Sequence, residues 1–258
     1  MKYDDRDFWD NDAKRALRSK LPQWYTYYVG KIYRKATEMG LKYTGGNVNK
    51  TNLLKTDLWN EGIETGRSIL DQYQADSKCN LYGVDISYIT CSSAKGKLKT
   101  IHVVQGDVRA LPFSDSSFDI VLDLSTLDHI PEYQAPSAIQ EYKRILKKQG
   151  ILVLVYWYDS ALLRLLFKLR GINYREHWGI QYYFPISLIK DEVKKDFDIL
   201  EEFCVGSLLN IRKRIPALIL RRLPKSIYNL ILDIEYSKIS KWLLKGFAGL
   251  HAVIAKRK

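Results

Sequence analysis

FDIVLDLSTLDHI, residues 118–130, is the stretch on which the fold turns. It leaves a turn of Ser114, Asp115, Ser116 and Ser117, runs through apolar Ile120, Val121 and Leu122, and stops in Asp123, Ser125, Thr126, Asp128 and His129. A continuous apolar run between turn signals reads as a strand buried on both faces, as in a parallel sheet. In an open α/β sheet ligands bind at the carboxyl ends of the strands, so a strand ending in acids, hydroxyls and an imidazole is a candidate active-site edge. Taken alone, Ser125 or Thr126 reads equally well as a helix N-cap before a surface histidine.

The flanking segments repeat the pattern. Strands are expected at 52–57, 81–84, 101–105, 150–157, 197–204 and 248–255, with helices between them at 62–74, in the DISYITCSSAKGK segment and at 136–147. This alternation calls for right-handed crossovers and a doubly wound, mostly parallel α/β sheet. The first three strands run into Asp57, Asp85 and Asp107. A carboxylate at such an edge can accept hydrogen bonds from ribose hydroxyls or from an amine, whereas a single acid there can equally cap the next helix. Three at matching positions favour a ligand site.

Composition narrows the class. A chain of 258 residues with 46% hydrophobic content suits one domain with appendages and a full core. Cys79, Cys91 and Cys204 have no metal-ligand spacing and are too few for a disulfide framework, and MKYDDRDFWD lacks an apolar signal core, so a cytoplasmic protein is expected. The excess of 41 Lys+Arg over 29 Asp+Glu, net +12, suits nucleic acid, an anionic membrane surface or an anionic small molecule.

The chain resembles the class I S-adenosylmethionine-dependent methyltransferases, particularly their small-molecule (methyltransferase-domain 11-like) branch. The resemblance covers about residues 50–157 and rests on YGVDIS, GDVRALPFSDSSFDIVLDLSTLDHI and EYKRILKKQGILVLV. It implies a seven-stranded Rossmann-like sheet with an antiparallel last strand, N-terminal helices and a helical insertion before that strand. It also implies S-adenosylmethionine lying across the strand ends, with Asp85 and Ile86 at the ribose, Asp107 and Val108 at the adenine, and Asp123, Leu124 and Ser125 at the fourth strand. The chain departs from the family at the glycine-rich first loop. Here the loop is Asp57, Leu58, Trp59, Asn60, Glu61, Gly62, so Trp59 and Glu61 stand where glycine is expected. Cofactor retention then requires Asp57 with Asn60 or Glu61 to make polar contacts at the cofactor's amino end.

For a hydroxyl acceptor the protein must align the nucleophile and remove a proton. His129 is the expected general base, oriented by Asp128; the same pair reads alternatively as a divalent-metal site, or His129 as a cap or packing residue. Residues 1–47 read as an N-terminal helical cap and 48–258 as the methyltransferase domain. Within it, 158–190 reads as a lid and substrate segment and 207–247 as a basic insertion of two or three amphipathic helices. Trp24, Tyr27, Tyr28, Ile32 and Tyr33 fall near helical spacing, a stripe that packs on the domain or touches substrate; Tyr28, with Trp178, Tyr182 and Tyr183 of the lid, is a candidate substrate contact. The function expected is methyl transfer to a small or lipid-linked acceptor, at oxygen, with weak contact to an anionic membrane surface. An RNA methyltransferase and a non-catalytic partner subunit are the alternatives. Nucleic acid is disfavoured because the fourth strand ends in Asp123, Leu124, Ser125, Thr126 rather than the Asn/Asp-Pro-Pro-aromatic signature of base methylation.

Overall fold

The computed structural model describes residues 5–18, 23–45, 50–74, 79–169, 181–211, 219, 222–238 and 240–258. Two helices, α1 (Asp5–Ala16) and α2 (Gln23–Lys42), precede a sheet of β1 (Thr51–Lys55), β2 (Cys79–Asp85), β3 (Ile101–Gln105), β4 (Phe118–Leu124), β5 (Leu146–Trp157), β6 (Phe197–Val205) and β7 (Leu250–Arg257). The strand order is β3-β2-β1-β4-β5-β7-β6, with β7 antiparallel to both its neighbours and the β1–β5 pairings parallel. That is the mostly parallel seven-stranded sheet anticipated from the alternation and the resemblance.

Alternation along the buried strands divides the core into two layers. Leu53, Leu81, Ile120, Leu122, Ile151 and Val153 face one side, where α2, α4 (Tyr88–Lys97) and α9 (Lys225–Glu235) pack. Leu54, Val121, Leu152 and Leu154 face the other, against α5 (Ala135–Ile145) and α7 (Ile186–Asp196). The α2 helix lies flat on the sheet at Gly40, where a Cβ would stand 2.4 Å from a Val153 methyl, so only hydrogen fits there.

The helix expected at 62–74 is absent. In its place are a single turn, α3 (Trp59–Gly62), and two 3-10 turns, Thr65–Arg67 and Leu70–Tyr73. The cause is Glu61, which is buried and accepts the backbone N–H groups of Ile69 (2.9 Å) and Leu70 (3.3 Å), taking donors that a continuing helix would spend on its own carbonyls. The backbone of α4 closes on the same turn, since a Cβ at Gly62 would meet the Thr90 carbonyl at 2.6 Å.

The candidate lid contributes α6 (Ala161–Lys168), the segment from Gln181 and the start of α7; Trp178 lies outside the described residues. In the insertion, α8 (Ser207–Ile211), α9 and α10 (Ser240–Leu243) are helical, while Arg212, Lys213, Arg214 and Arg221 lie outside the described residues. The apolar residues of α9 divide between its two faces. Tyr228 and Leu232 face inward with Glu235, whereas Ile227, Leu230 and Ile234 are exposed.

Candidate active site

A cavity of about 400 Å³ opens at the carboxyl ends of β1, β2 and β4. It is lined by Asp57 and Asn60 after β1, Asp85, Ile86 and Ser87 after β2, Gly106, Asp107, Val108 and Arg109 after β3, and Leu124, Ser125, Thr126 and His129 after β4. The acids anticipated after the first three strands therefore meet in one place.

Each acid is held differently. The carboxylate of Asp85 accepts the backbone N–H groups of Leu58 (2.9 Å) and Ser87 (2.8 Å). Burial, with the charge of Asp57 adding to it, nevertheless pushes its pKa up to about 7. For Asp107, burial works against ionisation, but hydrogen bonds from Arg109 and the charge of that guanidinium prevail and hold it below the usual carboxylate range. Arg109 Nε sits 2.8 and 2.9 Å from the two oxygens of Asp107, so an adenine amine would meet a carboxylate already engaged by a cation. Asp57 accepts the Trp59 N–H at 2.7 Å and receives Lys55 Nζ at 2.9 Å.

Lys55 explains the first loop. Its ammonium is fully buried, 2.9 Å from Asp57 Oδ2 and 3.1 Å from Glu61 Oε2. Burial alone would lower its pKa, and the two carboxylates reverse that and raise it. An ion triad thus shapes the loop that the family builds from glycine. It also corrects one expectation: Glu61 makes no contact with the cavity, because both its oxygens are turned inward, to Lys55 and to the backbone of residues 69 and 70.

Other expectations change for similar reasons. Asp123 shares a sheet face with Val121, so its carboxylate turns toward α5, accepts the Tyr142 hydroxyl (2.8 Å) and caps the Leu127–His129 turn through Thr126 N–H (2.8 Å) instead of lining the cavity. Burial, with the charge of Asp128 adding, raises its pKa to about 6. Tyr28 is buried against α9, where it packs on Tyr228 and donates its hydroxyl to Glu235 at 2.7 Å. Tyr182 packs against the layer beneath α5, and Tyr183 sits edge-on to Trp157. Neither tyrosine, nor Tyr28, lines the cavity.

His129 does line the cavity, in edge-on contact with Trp9 at 4.9 Å between centroids. Its Nε2 is 3.8 Å from Asp128 Oδ2, and its Nδ1 has no hydrogen-bond partner. Asp128 is buried, accepts the Ser125 hydroxyl at 2.9 Å, and has its pKa raised by burial against the opposing charge of His129. Among the described residues no group of three or more His, Cys, Asp or Glu is arranged to hold a metal ion.

Sequence reasoning missed the contribution of α1 and of Tyr25, and left Tyr33 in a stripe that packs on the domain or touches substrate. Phe8, Trp9 and Asp12 of α1, with Tyr25 and Tyr33 of α2, wall one side of the cavity. Asp10 fastens α1 by accepting the Ser87 hydroxyl (2.6 Å) and the Ile89 N–H (3.1 Å) at the start of α4. The available signal was the aromatic density of FWD and WYTYY, which reads as core until the topology brings both helices to the sheet edge.

Residues 62–154 match the family described as "Methyltransferase domain". The chain has the class I methyltransferase fold. The match to this methyltransferase family starts at Gly62, beyond β1 and the Lys55 loop. A demethylmenaquinone methyltransferase of Staphylococcus haemolyticus is 39% identical over 74 residues, 28% of this chain and 30% of that protein. A malonyl-[acyl-carrier protein] O-methyltransferase of Enterobacter lignolyticus is 26% identical over 108 residues, 42% of each. The chain spans about a third of the length of the first curated relatives it matches. Among solved structures, magnesium protoporphyrin IX methyltransferase from Synechocystis, with bound SAH, superposes with a TM-score of 0.62 over 98% of both chains at 16% identity.

Proposed function

We propose that this protein is an S-adenosylmethionine-dependent methyltransferase acting on a small or lipid-linked acceptor, at oxygen. The observation that carries the reading is the convergence of Asp57, Asp85 and Asp107 on one aromatic-walled cavity at the carboxyl edge of a class I sheet. The donor set fits the cofactor: Asp85 retains acceptor capacity for ribose hydroxyls, the rim at Asp107 to Arg109 suits a base edge, and Asn60 Oδ1 is buried without a partner at the amino-acid end. When bound, S-adenosylmethionine supplies an activated sulfonium methyl. The remaining work falls to the chain. Trp9, Trp59 and Trp157 exclude water, and His129 takes the acceptor's proton beside Asp128. The names of the two curated relatives support a small or carrier-linked acceptor.

The surface beside the cavity supports a lipid-side acceptor. Leu165 of α6 and Leu169 just after it are exposed, as are Trp242 (85%) and Leu243 of α10 and, just beyond it, Phe247. The two segments adjoin, because Leu162 N–H donates to the Gly246 carbonyl (2.8 Å) and the Tyr158 hydroxyl to that of Lys245 (2.7 Å), one residue from cavity-lining Trp157. Exposed Lys168 and Lys245 flank them. Apolar side chains, an interfacial tryptophan and cations together fit an anionic bilayer, whereas phosphate tracking along RNA needs only the cations. No helix among the described residues is long and apolar enough to cross a membrane.

Calorimetric titration with S-adenosylmethionine tests the assignment: binding is expected, weakened roughly 30-fold or more by Asp85→Ala, which removes charged hydrogen bonds of about 1.5–3 kcal/mol each. A wild-type chain that binds nothing at millimolar cofactor would leave a non-catalytic subunit as the reading. Vesicles containing phosphatidylserine should retain the protein weakly and in a salt-sensitive way; selective RNA binding without vesicle association refutes the membrane side.

A further inference from the structure

The cavity is lined by charged groups of both signs. Asp107 is paired with Arg109, Asp57 with Lys55, and Asp85, Tyr33 and Arg67 line the same cavity. Tyr25, Tyr33, Asn60 and Arg67 are part of its lining. Neither the family match nor the first-loop pattern assigns a role to Arg67.

Arg67 is built into this wall rather than solvated. It ends the 3-10 turn Thr65–Arg67, is 7% exposed, and rests on α2 at Gly30, where a Cβ would lie 3.5 Å from the Arg67 Cα. The guanidinium carbon stands 5.4 Å from the centroid of the Tyr25 ring, and Nη2 pairs with Glu64. Nε has no hydrogen-bond partner, although it is buried. A buried donor left unmade is costly, and the guanidinium that carries it lines the cavity, where a carboxylate can accept a charge-assisted hydrogen bond from it.

We propose that Arg67 is the binding residue for the carboxylate at the amino-acid end of the cofactor, taking over from the glycine-rich loop that this chain lacks. The proposal rests on the S-adenosylmethionine reading above. With ribose at Asp85 and adenine toward Asp107, the amino-acid end extends to the Asp57 and Arg67 side, where Asp57 complements the ammonium and Arg67 the carboxylate. The distortion of 62–74 into 3-10 turns has a purpose on this reading. A regular helix from Gly62 would carry residue 67 round a different face, and the Glu61 bonds to residues 69 and 70 hold the turn that presents it.

The test is a cycle of two proteins and two ligands, read by calorimetry on the full chain: wild type and Arg67→Gln, each with S-adenosylmethionine and with its decarboxylated analogue, which keeps the ammonium and the sulfonium. Wild type should bind the analogue at least tenfold more weakly than the parent, and Arg67→Gln should bind both alike, close to the wild-type value for the analogue. Arg67→Lys should recover part of the preference, as a point charge without the fork. Equal affinity of wild type for the two ligands overturns the proposal without any variant. A parallel loss of both ligands in Arg67→Gln overturns it in favour of a packing role. If wild type binds neither ligand, the cofactor assignment itself falls, which the analogue comparison separates from a failure of Arg67 alone.

Discussion

Replacing Lys55 with methionine removes the ammonium at the centre of the first loop and keeps the length of the side chain. Lys55 and Glu61 are both fully buried, whereas Asp57 borders the cavity, so the deletion strands the Glu61 carboxylate with no water to turn to. Breaking a buried pair by removing one partner costs about 3–5 kcal/mol. Exposed pairs elsewhere in the chain, such as Arg15 with Asp12, are worth about 1 kcal/mol or less. Urea unfolding at pH 7 should therefore show Lys55→Met destabilised by about 3–5 kcal/mol with an unchanged m-value. Adding Glu61→Gln should return about half of that, because the amide oxygen still accepts the Ile69 and Leu70 N–H groups while the orphaned charge is gone. A loss below about 1 kcal/mol for Lys55→Met, or no recovery in the double variant, would show that the triad does not shape the loop.

Three further outcomes follow from the site and its supports. Because burial and the charge of Asp57 raise Asp85 to about 7, and only its ionised form can accept two ribose hydroxyls, cofactor affinity should fall about tenfold from pH 8 to pH 6. In Asp85→Asn that slope should vanish, and a persistent slope would assign the titration elsewhere. Substituting His129 with alanine should lower kcat about 100-fold or more and leave the cofactor dissociation constant within about twofold, whereas equal loss of both marks a structural residue. Tyr28→Phe withdraws a hydroxyl from the buried Glu235 carboxylate and should cost about 1.5–3 kcal/mol in thermal or urea unfolding with cofactor affinity unchanged, an outcome that a substrate-contacting Tyr28 would reverse.

The sheet was legible because buried parallel strands announce themselves as apolar runs, and their carboxyl ends as acids. Which acid faces the ligand was less so. Asp85 and Asp123 both close a strand, yet the two-residue period of β4 sends Asp123 to Tyr142 on the other face, and that parity depends on register rather than composition. The burial of Lys55 was not legible, because its partners, Asp57 and Glu61, become its neighbours only once the loop folds back. The wall formed by Phe8, Trp9, Tyr25 and Tyr33 is a product of tertiary placement, and an aromatic stripe on a helix looks the same whether it meets a sheet or a cavity.

The bond from Tyr28 to Glu235 joins groups 207 positions apart, and it is one of several ties between α2 and α9: Lys35 meets Asp233, and the Tyr236 hydroxyl reaches the Ile32 carbonyl. During synthesis this gives the first elements to emerge a long wait. At about 5–20 residues per second, some 10–40 s separate the appearance of Tyr28 from that of its carboxylate partner. The face of α2 that carries Tyr27 and Tyr28 spends that interval without its final cover. Strands β1–β5 can assemble in chain order, but β6 finds its partner only in β7 and α2 is fastened only by α9, so a ribosome that stalls within the insertion leaves a five-stranded parallel sheet with one face of α2 uncovered.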